Sequence, residues 1–195
     1  MMSINLICLP FAGGSKYSYN IYNKYKPPFV KLIGVDYPGH GARLQEELLT
    51  DIHSIVDDVY EQIKKNLHAP YAIYGHSMGA LVGYLTVRKL VEEQQPLPVH
   101  LFFTGCGSPS IKDKKGPRHL LSSDKLIEEL KSMGGIPIEI LNDSDSMRFF
   151  EPKLRADFQA VYLYKYNKFT KLSMPINVLT GFQEVITVEE ALKWQ

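Results

Sequence analysis

Gly75-His76-Ser77-Met78-Gly79 is the one stretch of the chain whose residue types and spacing state a reaction. A serine sits between two glycines, with a short apolar strand over residues 71–74 before it and an apolar helix over residues 78–90 after it. Small residues on both flanks let the chain turn sharply from strand to helix, which lifts the Ser77 hydroxyl above the sheet. The next backbone N–H, that of Met78, then points where an oxyanion would form, and the helix start adds partial positive charge there. The chemistry expected is attack on an acyl carbonyl with Ser77 as nucleophile. His76 lies inside the motif, but its side chain points away from Ser77. It is expected to pack beside the turn and is not read as a base.

Such a serine needs a second oxyanion donor, a base and an acid. The turn Phe11-Ala12-Gly13-Gly14 follows the first strand, where the second donor of this arrangement belongs. The Ala12 N–H is the first choice and that of Gly13 the next. The usual chain order is serine, then acid, then histidine. Glu184 is the only carboxylate in the turn 180–184 after a late strand, so it is the candidate acid, the alternative being an exposed loop glutamate. A carboxylate there would hold an imidazole in the correct tautomer. His40, in the loop 36–41 that could line the site's rim, precedes the serine and is read as a solvated loop histidine. His53 falls on the polar side of its helix, His68, His100 and His119 match no site pattern, and no histidine follows His119.

The elements that must position these groups alternate between apolar runs and helical patterns, the signature of a parallel sheet covered on both faces. Strands are expected over residues 4–9, 29–35, 71–74, 99–104 and 175–180. A helix is expected over 16–25, ended by Pro27-Pro28. An amphipathic helix over 50–67 places Ile52, Ile55, Val56, Val59, Ile63 and Leu67 on one face. Residues 110–155 break the alternation: Ser122-Ser123-Asp124 caps a short helix, Gly134-Gly135 stops it, and Asn142-Asp143-Ser144-Asp145 precedes another. This stretch is read as a lid over the C-terminal edge of the sheet, followed by a helix over 156–166 that returns to it. Thr187-Val188-Glu189-Glu190 reads as a capping box.

Composition bounds the rest. The 195 residues suffice for one domain, and 45% hydrophobic with 22% charged residues is the balance of a globular protein. A formal net charge of +1 with no basic patch gives no reason to expect nucleic acid. No signal peptide and no membrane span are read, so a cytoplasmic location is the default expectation. Cys8 and Cys106 sit in or beside apolar strands and are read as small buried hydrophobes.

Together the motifs resemble one family, the type II (external, editing) thioesterases that accompany nonribosomal peptide and polyketide synthases. The matching pieces are Leu9-Pro10-Phe11-Ala12-Gly13-Gly14-Ser15, Tyr37-Pro38-Gly39-His40-Gly41-Ala42-Arg43, and Tyr74-Gly75-His76-Ser77-Met78-Gly79-Ala80. Thr104-Gly105-Cys106-Gly107-Ser108-Pro109, Met133-Gly134-Gly135-Ile136-Pro137, Phe149-Phe150-Glu151-Pro152-Lys153-Leu154-Arg155-Ala156-Asp157 and Thr180-Gly181 follow in the family's order. The resemblance implies a single α/β-hydrolase domain over 1–195 with a helical lid. It also implies hydrolysis of acyl groups from the phosphopantetheine arm of an acyl or peptidyl carrier protein, with no metal or bound cofactor. It gives Ser77 as nucleophile and Ala12 and Met78 as oxyanion donors, while Phe11, Phe149 and Phe150 are candidates to meet acyl chains. The family acid is usually an aspartate three residues after a glycine like Gly181; here Glu184 stands there and reaches one methylene further. The family also continues to another strand and a Gly-x-His segment that supplies the base, so residues 1–195 are expected to lack that strand, a closing helix and the histidine. Two other readings are a thioesterase or esterase for medium-chain fatty acyl groups or simple esters on the same fold, and a non-catalytic carrier-binding relative.

Overall fold

The computed structural model describes residues 3–111, 116–169, 171–181 and 186–194. Five strands, β1 (Ile4–Leu9), β2 (Val30–Gly34), β3 (Tyr71–His76), β4 (His100–Thr104) and β5 (Ile176–Leu179), form one sheet in the order β2-β1-β3-β4-β5. All four pairings are parallel. Each strand arose where an apolar run predicted it: β1 matches its expected bounds, β3 runs two residues past the expected 74 to His76, and β2, β4 and β5 are one or two residues shorter than expected. The register aligns Ile33, Ile7, Ile73, Leu101 and Ile176 in one row across the sheet. A second row sets Leu9 beside Gly75 and Gly75 beside Phe103. That row matters for the site, because it puts the end of β1 next to the turn that carries Ser77.

Helices α1 (Ile52–Ile63) and α2 (Met78–Glu92) flank the sheet and pack on each other. The stripe Ile52, Ile55, Val56, Val59 and Ile63 is buried as its spacing predicts, joined by Tyr60. Asp51 caps α1 by accepting from Ser54 N–H at 2.8 Å, and a 3₁₀ turn over Lys64–Asn66 ends it, so the expected helix 50–67 is shorter than its apolar pattern. The segment expected as a helix over 16–25 is a 3₁₀ helix over Lys16–Lys24. Its Tyr19 hydroxyl donates to the Leu9 carbonyl at 2.6 Å. Cys8 is buried and Cys106 partly so, both free, and burial pushes both thiols up to about 12.

A second, smaller core lies apart from the sheet core. It is built by α3 (Ser123–Met133), α4 (Ile138–Asn142) and α5 (Ser144–Leu163), through Leu126, Leu130, Leu141, Met147, Leu154 and Phe158. Gly134 and Gly135 stop α3 with φ of +70° and +84°. Asp143 caps α5 by accepting from Ser146 N–H at 2.8 Å. Ser122 stands at the N-cap of α3 but makes no side-chain cap bond; Ser123 instead donates to Glu151 at 2.8 Å. The expected break near residue 155 is absent: α5 runs through it, with Pro152 inside the helix. One helix serves both cores, since Ala160 joins the sheet core while Leu154 and Phe158 belong to the smaller one. Helix α6 (Val188–Leu192) starts with the predicted capping box, Thr187 and Glu190 bonding each other's backbone N–H. Trp194 beyond it packs on Phe103 at 5.0 Å and donates to the Cys106 carbonyl at 3.1 Å.

Candidate active site

Ser77 stands between the last residue of β3 and the first of α2, with φ +54° and ψ −117°. Side chains rarely occupy this region, and such strain persists only where the surroundings hold it. Here Ser77 N–H donates to the Thr104 carbonyl at 2.8 Å, and Ala80 N–H donates back to the Ser77 carbonyl at 3.0 Å. The two flanking glycines are needed for space. A Cβ on Gly75 would lie 2.2 Å from the Gly79 carbonyl oxygen, and one on Gly79 would lie 2.1 Å from that of Leu9. The second approach presses the start of α2 directly against the end of β1. His76 packs beside the turn, as its place in the motif suggests. Its Nδ1 bonds Thr104 Oγ1 at 2.8 Å, and its ring meets Phe11 edge-on at 5.7 Å.

After β1 the loop turns tightly, Gly14 N–H donating to the Phe11 carbonyl at 2.8 Å. Gly13 has φ +76°, and a Cβ there would meet Leu154 at 2.7 Å, so the loop is docked on α5. Ala12 packs against both cores. The Gly13 N–H, the second choice as oxyanion donor, is already committed: it donates to Asp157 Oδ2 at 2.7 Å. The N–H groups of Ala12 and Met78 donate to no partner among the described residues, nor does Ser77 Oγ bond one. Both N–H groups are thus left without an acceptor, one in the turn after β1 and one at the start of α2.

His40 is a correction. Sequence reasoning reads it as solvated, yet it is 2% exposed. Its Nε2 lies 3.0 Å from Asp157 Oδ2 and its Nδ1 2.9 Å from the Pro38 carbonyl. The loop is drawn inward because buried Asp36 anchors it, accepting from Lys16 N–H at 2.8 Å and Ala42 N–H at 2.9 Å. Gly41, at φ +54°, leaves the room that carboxylate occupies. Arg43 then ties the loop to Asp58 on α1. Burial pushes the His40 pKa down, but the hydrogen bond and charge of Asp157, with the Pro38 carbonyl, outweigh it and raise it overall. Asp157, 1% exposed, is the partner of His40 that sequence reasoning missed. It stands in the quoted run ending Arg155-Ala156-Asp157, but 117 residues separate it from its partner, and no local pattern links the two.

Phe149 and Phe150 lie on α5 and line a small pocket with Gly13, Gly14, His40 and Lys153. Phe149 is half exposed, and the Lys153 ammonium lies over its ring at 3.1 Å. Phe11, in the same loop, packs against His76 and is not among the residues that line this pocket. Glu184, the candidate acid, lies outside the described residues. Among the described residues no group of three or more His, Cys, Asp or Glu side chains could hold a metal ion, and no helix is long and apolar enough to cross a membrane.

The thioesterase-domain family matches residues 4–194, and the chain belongs to that family. Its fold is that of the α/β-hydrolase thioesterases. It is 34% identical to the gramicidin S biosynthesis protein GrsT of Aneurinibacillus migulanus over 178 residues, 91% of this chain and 70% of that one. Among solved structures it is similar to ClbQ from the colibactin NRPS/PKS pathway, with TM-score 0.92 and 28% identity over 98% of this chain and 82% of that one. It is also similar to the type II thioesterase BorB from the borrelidin biosynthetic cluster, with TM-score 0.87 and 31% identity over 98% of this chain and 78% of that one.

Proposed function

We propose that the protein is a serine thioesterase that clears acyl or aminoacyl groups from phosphopantetheinyl carrier proteins of a nonribosomal peptide or polyketide synthase, acting in the cytoplasm. The observation that supports it best is the pair of unengaged N–H groups, Ala12 and Met78, beside a serine held in a strained turn. In this reading Ser77 Oγ attacks the thioester carbonyl, and the two N–H groups hold the oxyanion. The C–S bond breaks, the pantetheine thiolate takes a proton, and an acyl-Ser77 ester remains. Water then attacks that ester, releasing the free acid and returning the proton to Ser77 Oγ. A histidine relays these protons, with Glu184 orienting it. Residues 110–155 act as the lid, with Phe149 and Phe150 meeting the acyl chain.

The test is a comparison of substrates and of one variant. The same acyl group presented on a phosphopantetheinyl carrier protein and as a free ester should differ in kcat/KM by about tenfold or more in favour of the carrier, because contacts remote from the carbonyl contribute to the transition state. Ser77→Ala should remove hydrolysis of both, by about 10³-fold or more. Equal use of the free ester would favour a simple esterase, and carrier binding without hydrolysis would favour a non-catalytic module.

A further inference from the structure

The buried pair of His40 and Asp157 takes no part in the reaction as written, yet it touches the loop on which that reaction depends. We propose that Asp157, with His40 behind it, is a positioning residue that holds the Ala12 N–H in place by clamping the Gly13 N–H to α5. The proposal rests on the reading of Ala12 as an oxyanion donor.

Three observations carry it. First, Gly13 N–H reaches Asp157 Oδ2 at 2.7 Å, and this is the one hydrogen bond from the tip of the loop to another element among the described residues. The root of the loop is held from below: the Tyr19 hydroxyl donates to the Leu9 carbonyl at 2.6 Å and the Tyr37 hydroxyl to that of Pro10 at 2.9 Å. Between this root and Gly13 lie only Phe11 and Ala12, so the setting of Gly13 decides where the peptide N–H of Ala12 points. Second, the contacts of the pair are those an imidazolium and a carboxylate make. Both ring nitrogens of His40 face acceptors, the Pro38 carbonyl at 2.9 Å and Asp157 Oδ2 at 3.0 Å. A neutral imidazole has one N–H and satisfies only one of them; the imidazolium satisfies both. Asp157 Oδ2 then accepts two converging donors, as a carboxylate does well and a neutral group does not. Third, the surroundings leave little slack. Leu154, one turn before Asp157 on α5, fills the space beside the Gly13 Cα. The other groups facing His40 are the Tyr37 ring, edge-on at 5.9 Å, and the Lys153 ammonium, whose charge opposes a second cation nearby. Asp157 is thus the anion that lets an imidazolium stay beside a lysine, and its second role is to hold Gly13.

The experiment uses the purified protein, with Ser77→Ala as control. It measures kcat and KM for an acyl-phosphopantetheine thioester, and follows the Gly13 amide proton by NMR, in Asp157→Asn and His40→Gln. The proposal expects Asp157→Asn to lower kcat about tenfold or more with KM within about twofold, since a lost oxyanion contact acts only in the transition state. It expects the Gly13 amide to move upfield as its charged acceptor is lost. In His40→Gln, which keeps the Gly13 bond, the effect should be smaller, and the alkaline fall in kcat from imidazolium deprotonation should be absent. An unchanged kcat in folded Asp157→Asn overturns the proposal, as does a loss that only follows the unfolded fraction. If Asp157→Asn does not fold, an alkaline limb unchanged in His40→Gln overturns it instead. Hydrolysis retained in Ser77→Ala would instead remove the serine reading itself, whatever Asp157 does; hydrolysis lost there but normal in Asp157→Asn removes the clamp alone.

Discussion

The turn that carries Ser77 was legible because its requirements are local: a strand before it, a helix after it and two positions without side chains. The structure adds why those positions are glycine, and the reason differs between them. Gly75 is closed off by the helix it precedes, whereas Gly79 faces the carbonyls of Leu9 and Pro10, which belong to another part of the chain. Gly79→Ala should therefore push the start of α2 away from the loop that carries Ala12. A destabilisation of about 1–3 kcal/mol is expected from overpacking. Loss of activity should exceed what that explains, with the urea midpoint and kcat of the folded protein as the paired measurements. His40 shows the opposite case. A loop histidine among glycines reads as solvated, and only the fold reveals the carboxylate 117 residues away that buries it. Long-range charge pairing leaves no periodicity to read. Glu184 remains a reading from position alone.

At the scale of elements, the five strands announced themselves as apolar runs bounded by glycine and proline, and parallel order followed from the helices between them. The region 110–155 was legible as an interruption but not as an architecture. Its helices were separable by their glycine stop and acidic cap, yet the lid was read as ending near 155 with a new helix from 156, where α5 is continuous. The continuity has a consequence: α5 links the small core to the sheet core and presses Leu154 against Gly13. Leu154→Ala should cost about 2–5 kcal/mol, as for a fully buried leucine. It should also loosen the loop, so that kcat in the remaining folded protein falls while α2 and Ser77 stay in place. Thermal unfolding with a parallel kinetic assay would check this; a stability loss with kcat intact would show that α5 supports the fold alone.

For the whole molecule, the buried charge pair predicts how stability responds to pH. The His40 pKa is raised above its unfolded value of about 6.5, so its contribution is fully present below that value and is lost as pH rises through the folded pKa. The melting temperature of the wild-type protein should carry a decline on the alkaline side that His40→Gln lacks, and a difference between the two that is flat with pH would refute the charged form of His40. The account's central claim is covalent acyl transfer to Ser77, and peptide mass spectrometry tests it most directly. The purified protein would be mixed with an acylated phosphopantetheinyl carrier protein and quenched within a turnover. The account predicts the acyl mass on the peptide that contains Ser77, and its absence in Ser77→Ala together with thioester hydrolysis. Hydrolysis that proceeds in both proteins with no acylated peptide would contradict it.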